Sequence, residues 1–154
     1  MKKIAVFAGS FDPFTLGHEE VIKKTLPLFD KIIIGVGNNI NKKYLFSKEK
    51  RTNWIKRIYI NNKKIEVKKF KGLTVNFCKR EKASYILRGL RNNNDLIFEK
   101  QIQETNDILN YNIKTIYIIS SSKTSHISST IIRDLIQNKG KLNGLIPDEI
   151  IKDI

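Results

Sequence analysis

Ten residues, Gly9-Ser10-Phe11-Asp12-Pro13-Phe14-Thr15-Leu16-Gly17-His18, set the terms on which this chain can fold. An apolar run, Ile4-Ala5-Val6-Phe7-Ala8, leads into them, and an amphipathic run from Glu19 to Phe29 leads out. Strand, glycine-bearing turn and helix make a geometry that handles phosphate. Gly9 lets backbone approach a ligand closely, and Ser10 offers both a hydroxyl and an N–H. Gly17 and His18 stand where a helix should begin, and there free N–H groups and the positive end of the dipole favour an anion. His18 adds a donor aimed at the same place. Neither G-x-x-x-x-G-K-[ST] nor G-x-G-x-x-G is present, which excludes a Walker loop and the dinucleotide fingerprint. The plain alternative is a tight turn with a capping histidine, because isolated Gly and Asp-Pro are ordinary turn residues.

Elements alternate along the rest of the chain. Lys3 to Ala8 reads as a buried strand, and Gly17 to Phe29 as a helix with Val21, Ile22, Leu26 and Phe29 on one side. Lys31 to Val36 is a second strand, rich in β-branched residues. A polar segment, Gly37 to Phe46, precedes a helix with Ser47 as N-cap, Glu49 in its first turn, and Trp54, Ile55 and Ile58 at helical spacing. Lys64 to Phe70 alternates as a strand, Leu73 to Lys82 is a short helix and Ser84 to Leu87 a strand. Leu96 to Leu109 is a long helix, Lys114 to Ile119 a fifth strand, and Ser128 to Gln137 a serine-capped helix. Pro147 opens a short final helix. The order predicts an α/β fold: a doubly wound, five-stranded parallel sheet with helices on both faces, in a single domain over residues 1–154. Ligands of such sheets bind at the carboxyl ends of the strands near the topological switch point. That rule selects the Gly9–His18 turn, the segment after Leu87 and the loop after Ile119.

Composition narrows the partners. The chain's 154 residues are one domain's worth, and 40% hydrophobic content suits a globular core. No apolar run is long enough to span a membrane. The start, Met1-Lys2-Lys3, is basic, but Ile4 to Ala8 is too short for a signal h-region, so a cytoplasmic protein is expected. The single cysteine, Cys78, excludes an intrachain disulfide, lies on an apolar helical face and reads as core. One cysteine with two histidines leaves no zinc-type ligand cluster. A net charge of +14 suggests polyanions. The lysines, however, are scattered, accompany many Asn and Ile residues as in AT-biased coding, and form no stripe interleaved with aromatics. This favours a solvated basic surface over a nucleic-acid site, with a field that still draws in phosphorylated substrates.

The ten-residue string resembles the signature of the T/HxGH nucleotidyltransferases, a Rossmann-like superfamily that attacks the α-phosphate of a nucleoside triphosphate. Ser10-Phe11-Asp12-Pro13 followed by Thr15-Leu16-Gly17-His18 is most similar to the phosphopantetheine adenylyltransferase branch. After the fourth strand, Arg88-Gly89-Leu90-Arg91 offers two guanidiniums, separated by a glycine-bearing turn, that can fork around phosphate oxygens. Two surface arginines are the bland reading. The string resembles the RGLR motif of that branch, which implies Arg88 for phosphopantetheine and Gly89, Leu90 and Arg91 for ATP. Glu99 alone would read as an exposed helix carboxylate, and the resemblance implies an ATP contact there. Phe98 stands where relatives commonly carry tyrosine.

Ser128, Ser129 and Thr130 present hydroxyls and N–H groups at a helix start, a natural triphosphate site, or else plain serine capping. The surrounding string resembles the superfamily's second signature. It implies ATP contacts from Thr124, Ser125, His126, Ile127, Ser128, Ser129 and Thr130, together with Ser10, Phe11 and His18. Relatives often carry an aromatic residue at the position of Thr124 and phenylalanine at that of His126, which by itself reads as a surface or capping residue. Asn41-Lys42-Lys43-Tyr44-Leu45-Phe46-Ser47 is similar to the branch's SKKPLFS loop, with Tyr44 in place of proline. Lys42 is the matching phosphate contact for the second substrate, against the alternative of a solvated lysine pair. Gly72-Leu73-Thr74-Val75 looks like the pantetheine-contacting turn, with Thr74 at the matching position.

The resemblance implies transfer of AMP from ATP to 4′-phosphopantetheine, giving dephospho-coenzyme A and pyrophosphate in coenzyme A biosynthesis. A phosphate monoester is already a charged nucleophile, so no general base is required, and no Ser-His-Asp or Cys-His set stands out. His18, helped by Ser10, Lys42 and Arg91, is expected to stabilise the pentavalent α-phosphate. Asp12 is expected to fix the turn. Magnesium, Mg2+, held mainly through the ATP phosphates and not by protein side chains alone, would neutralise the departing pyrophosphate. The resemblance also implies a homohexamer. A related transferase making NAD-type dinucleotides (nicotinamide mononucleotide as acceptor) or CDP-alcohols is the nearest alternative, and Arg88-Gly89-Leu90-Arg91 argues against it. A basic nucleic-acid-binding domain is the alternative from another class. A degenerate binder is opposed by the intact Gly17-His18 pair.

Overall fold

Runs of β-branched and aromatic residues pair into a sheet of five strands, all parallel, in the computed structural model, which describes residues 2–110 and 112–154. Met1, part of the basic start and of the 1–154 domain expected above, lies outside the described residues. The chain runs β1 (Ile4–Gly9), α1 (Leu16–Thr25), a 3-10 turn (Leu26–Leu28), β2 (Lys31–Val36), α2 (Lys48–Ile58), β3 (Ile65–Lys69) and α3 (Thr74–Glu81). It continues through β4 (Tyr85–Leu90), α4 (Asn93–Asn110), β5 (Lys114–Ile119), α5 (Ser129–Gln137) and α6 (Asp148–Ile151). Strand order is β3-β2-β1-β4-β5, so the winding reverses between β1 and β4.

Period-two alternation sorts the core into two layers. Ala5, Phe7, Ile32, Ile34, Val36 and Leu87 face one side and pack with Val21 and Ile22 of α1, Trp54 and Ile55 of α2, Ile132 of α5 and Ile150 of α6. Val6, Ala8, Ile33 and Ile86 face the other and pack with Val75, Phe77 and Cys78 of α3. Each large apolar side chain so buried contributes about 1.5–3 kcal/mol relative to exposure. Burial also pushes the Cys78 thiol up to about 12, so it is an inert core group.

Several expectations change: α4 begins at Asn93, three residues before Leu96, and Pro147 is the N-cap of α6 and not its first residue. The first helix stops at Thr25, and Leu26-Pro27-Leu28 tightens into a 3-10 turn. Pro27 has no N–H to donate and its ring opposes the preceding turn of helix. Arg88, Gly89 and Leu90 are also not a turn after the fourth strand. They are its last three residues, paired with Tyr117, Ile118 and Ile119 of β5.

The sheet opens along its central seam. β1 pairs with β2 along six residues, from Ile4 opposite Lys31 to Gly9 opposite Val36. With β4 it pairs only at Ala5 opposite Tyr85 and Val6 opposite Ile86. Beyond that point the strands diverge toward their carboxyl ends. Arg88 bridges the gap, its Nη1 donating to the Ala8 carbonyl at 2.8 Å.

Candidate active site

The divergence of β1 and β4 forms the floor of a cleft of about 610 Å³. His18 enters it from the first turn of α1. Thr15 is the N-cap, and the helix opens with a capping box in which histidine takes the place usually held by Glu or Gln. The His18 N–H donates to Thr15 Oγ1 at 3.4 Å, and the Thr15 N–H donates to His18 Nδ1 at 3.0 Å. Nδ1 is therefore an acceptor, and the neutral ring carries its proton on Nε2. The ring packs 5.0 Å from Phe11 and 5.3 Å from Phe14, centroid to centroid. Burial among these rings, and then the charges of Arg91 and Arg88, lower its pKa to about 3. His18 is thus a fixed, uncharged donor.

The turn before it is strained and packed. Phe11 adopts φ 51 in the left-handed region, where non-glycine residues are uncommon. Its ring lies where a Gly9 Cβ would sit, 2.9 Å from the ring edge, so only glycine fits at 9. At Gly17 the nearest atom to an added Cβ would be Thr15 Oγ1 at 3.5 Å, an ordinary contact. Gly17 also lines the cleft, and an added Cβ there would stand against the Ile127 and Thr124 carbonyls at 3.8 Å without a clash.

Asp12 does more than fix a turn. Its buried carboxylate accepts from the Leu45 N–H at 2.8 Å and the Phe46 N–H at 3.0 Å, which docks the segment between β2 and α2 onto the β1 turn. Arg51, 1% exposed, completes that junction. It donates to the carbonyls of Phe46, Ser10 and Gly37, and to Asn38 Oδ1 at 2.6 Å. Lys42 is thereby carried to the cleft wall.

At the end of β4, Arg88 is held by a two-pronged ion pair with Glu99, whose carboxylate is buried. Arg91 is held by Asp95 through its N–H, Nε and Nη2 at 2.9, 3.0 and 3.1 Å. Glu99, expected from the helix pattern to be exposed, is the buried residue of α4, and this position orients Arg88. Arg88 and Glu99 also line a second, smaller cavity of about 130 Å³ together with Thr74, Ile102, Asn106 and Thr115.

The hydroxyls at α5 are mostly taken by the fold. Ser128 is the N-cap and accepts from the Ile131 N–H. Ser129 Oγ donates to the Pro13 carbonyl at 2.8 Å, and Thr130 Oγ1 accepts from Arg133. What the helix start turns to the cleft is its first N–H groups and dipole. The cleft is lined by Ser10, Phe11, His18, Lys42, Arg88, Gly89, Arg91, Glu99 and Ile127 to Thr130. Leu90, Thr124, Ser125 and His126 are not among its lining residues, and Thr74 belongs to the second cavity. Leu90 is buried in the fold and His126 is exposed. The Thr124 hydroxyl donates to the Glu20 carboxylate, which also accepts from the Ser121 N–H and pairs with Lys24 at 2.9 Å. Burial alone would raise the Glu20 pKa, but bonds from Thr124, Lys24 and Ser121 lower it to about 2.

Arg51, Glu20 and Arg133 carry site geometry that the sequence reading assigned to no role. Arg133 lines the cleft and donates to the Asp12 carbonyl at 2.8 Å. Thr15-x-x-His18 was the available sign of the cap that fixes His18.

A parallel sheet with a basic cleft of about 610 Å³ at its switch point is an architecture suited to a nucleotide and a second phosphorylated substrate. Residues 6–135 match the family model described as cytidylyltransferase-like. Over nearly their full lengths, the chain is similar to several proteins named phosphopantetheine adenylyltransferase. One from Christiangramia forsetii is 51% identical over 99% of each chain. One from Flavobacterium johnsoniae is 46% identical over 95% of each, and one from Clostridium beijerinckii 41% identical over 99% of this chain and 96% of its own. The chain belongs to the cytidylyltransferase-like family and, within it, to the phosphopantetheine adenylyltransferases.

Proposed function

We propose that the cleft moves AMP from ATP to 4′-phosphopantetheine, giving dephospho-coenzyme A and pyrophosphate. The observation that carries the reading is His18, held as a neutral Nε2–H donor in one cleft with Lys42, Arg91 and the N-terminus of α5. The triphosphate lies along the α5 start and Arg91, and the acceptor phosphate lies by Lys42 and Ser10. An oxygen of the acceptor phosphate attacks the α-phosphorus, a new P–O–P bond forms, and the α–β bridge breaks with its electron pair leaving on pyrophosphate. Both reacting groups arrive charged, so the protein's work is to hold them in line and to meet charge on the equatorial oxygens. His18 gives a directed hydrogen bond there, and Lys42 and Arg91 give charge. The second cavity, which shares Arg88 and Glu99 with the cleft and is also lined by Thr74, Ile102 and Asn106, is the place proposed for the amide-bearing arm of the acceptor.

Magnesium enters as part of the substrate, Mg·ATP. The carboxylates at the cleft support this: Asp12 is bonded to Leu45 and Phe46 N–H groups, Asp95 to Arg91 and Glu99 to Arg88. Among the described residues no group of three His, Cys, Asp or Glu side chains could hold a metal.

A hexamer is the assembly proposed. Supporting it, α4 leaves Ile97, Phe98 and Ile108 exposed at 62%, 61% and 87%, a large apolar face on one helix. Among the described residues no helix is long and apolar enough to cross a membrane, and a cytoplasmic location is part of the same proposal.

The test is pyrophosphate release from Mg·ATP with 4′-phosphopantetheine or nicotinamide mononucleotide as acceptor. Release dependent on 4′-phosphopantetheine is expected. Release only with the mononucleotide, or with neither, would overturn the reading.

A further inference from the structure

Tyr44 takes no part in the chemistry above, yet it lines the cleft with Ser10 and Lys42. Its ring is stacked by Arg51, with Cζ 4.4 Å from the ring centroid. Arg51 is itself pinned by four protein oxygens, so the phenol is held in place. The phenol oxygen accepts from the Asn39 N–H. That leaves the phenol proton, whose acceptors are the Asn39 carbonyl at 3.3 Å and Ser10 Oγ at 3.4 Å. Both are long for an O–H donor, whose bonds centre near 2.7–2.8 Å. Tyr44 thus reaches the cleft-lining Ser10, and the fold meets the donor capacity of its hydroxyl only through long bonds.

We propose that Tyr44 is a binding residue for the acceptor substrate, its hydroxyl donating to a phosphate oxygen beside Lys42 and Ser10. The proposal rests on the acceptor reading given under Proposed function. Proximity selects the acceptor over ATP: Tyr44 stands two residues from Lys42 on the same segment and its hydroxyl lies 3.4 Å from Ser10 Oγ, the two residues assigned to the acceptor phosphate, whereas Arg91 and the α5 start are assigned to the triphosphate. A hydrogen bond to a charged oxygen is stronger than one between neutral groups, and here it discriminates the phosphorylated acceptor from its dephosphorylated form.

Tyr44→Phe keeps the ring and its Arg51 stacking and removes the O–H. Initial rates of pyrophosphate release are measured with 4′-phosphopantetheine and Mg·ATP each varied. The expected result is a KM for 4′-phosphopantetheine raised about ten-fold, with kcat and the KM for ATP little changed. Fluorotyrosine at 44, assayed at a pH low enough to keep the phenol protonated, is a stronger donor of nearly the same shape and is expected to lower that KM. A merely structural role would leave the fluorotyrosine enzyme like wild type. Wild-type acceptor KM in Tyr44→Phe, a parallel rise in both KM values, or an unresponsive fluorotyrosine enzyme would overturn the assignment while the acceptor reading stands. A wild-type enzyme that does not turn over 4′-phosphopantetheine would overturn both.

Discussion

The Thr15 N–H donates to Nδ1 of His18 at 3.0 Å, so a helix cap and the tautomer of the proposed catalytic donor are one interaction. Capping and catalysis can be separated, because glutamine at the third helical position also accepts from the cap N–H. His18→Gln is expected to melt within a few degrees of wild type while turnover falls on the order of 10²–10³-fold, the cost of losing a transition-state donor. Calorimetry and pyrophosphate release check the two halves. A variant that unfolds, or one that works, would contradict this division.

With a pKa near 3, His18 stays neutral through the ordinary assay range, so kcat should show no acid limb near 6.5 from this residue. The stability effect has a definite sign. The folded ring resists protonation and the unfolded ring does not, so the contribution is intact above about 6.5 and is lost as pH falls from there toward 3. Urea unfolding between those limits should show wild type losing stability on acidification more steeply than His18→Gln.

Glu20 ties α1 to the loop after β5 through Thr124 and Ser121. Glu20→Ala frees that loop at the triphosphate side of the cleft. The KM for ATP should rise about five-fold, from loss of a charge-assisted bond, with the acceptor KM unchanged. Steady-state kinetics with each substrate varied decide it.

Arg51 joins Ser10, Gly37, Asn38 and Phe46 from a position with almost no solvent access. Lysine cannot reproduce the planar fork. Arg51→Lys leaves buried carbonyls without donors and should cost about 2–4 kcal/mol in chemical denaturation. Its effect on KM should fall on the acceptor, because Lys42 and Tyr44 ride on the segment Arg51 holds.

Local chemistry explains what was legible beforehand. Lys114–Ile119 and Lys31–Val36 are rich in β-branched residues, and both strands have the bounds their residues imply. Ser47 and Ser128 cap α2 and α5 as their type and placement suggest. Arg51 was hidden because a charged residue on the Trp54 and Ile55 face of α2 breaks an apolar pattern without revealing its partners. The Glu20–Thr124 bond spans 104 residues and no spacing rule reaches so far. β4 reads short because Arg88 and Gly89 lack β propensity, and tertiary pairing with β5 overrides that. Glu99 reads as solvated because only the fold places Arg88 opposite it.

The seam between β1 and β4 parts after Val6 and Ile86, and Arg88 spans the parting. A pocket made this way is a property of strand register, present before any substrate arrives. Its floor is built from backbone that the sheet already holds in place, so that part of the site costs little to organise on binding. It also means that Arg88, one of the arginines lining the pocket, is a rivet between two strands. A change at Arg88 would be felt in the melting curve as well as in the rate, and the two readouts could not be tuned independently there.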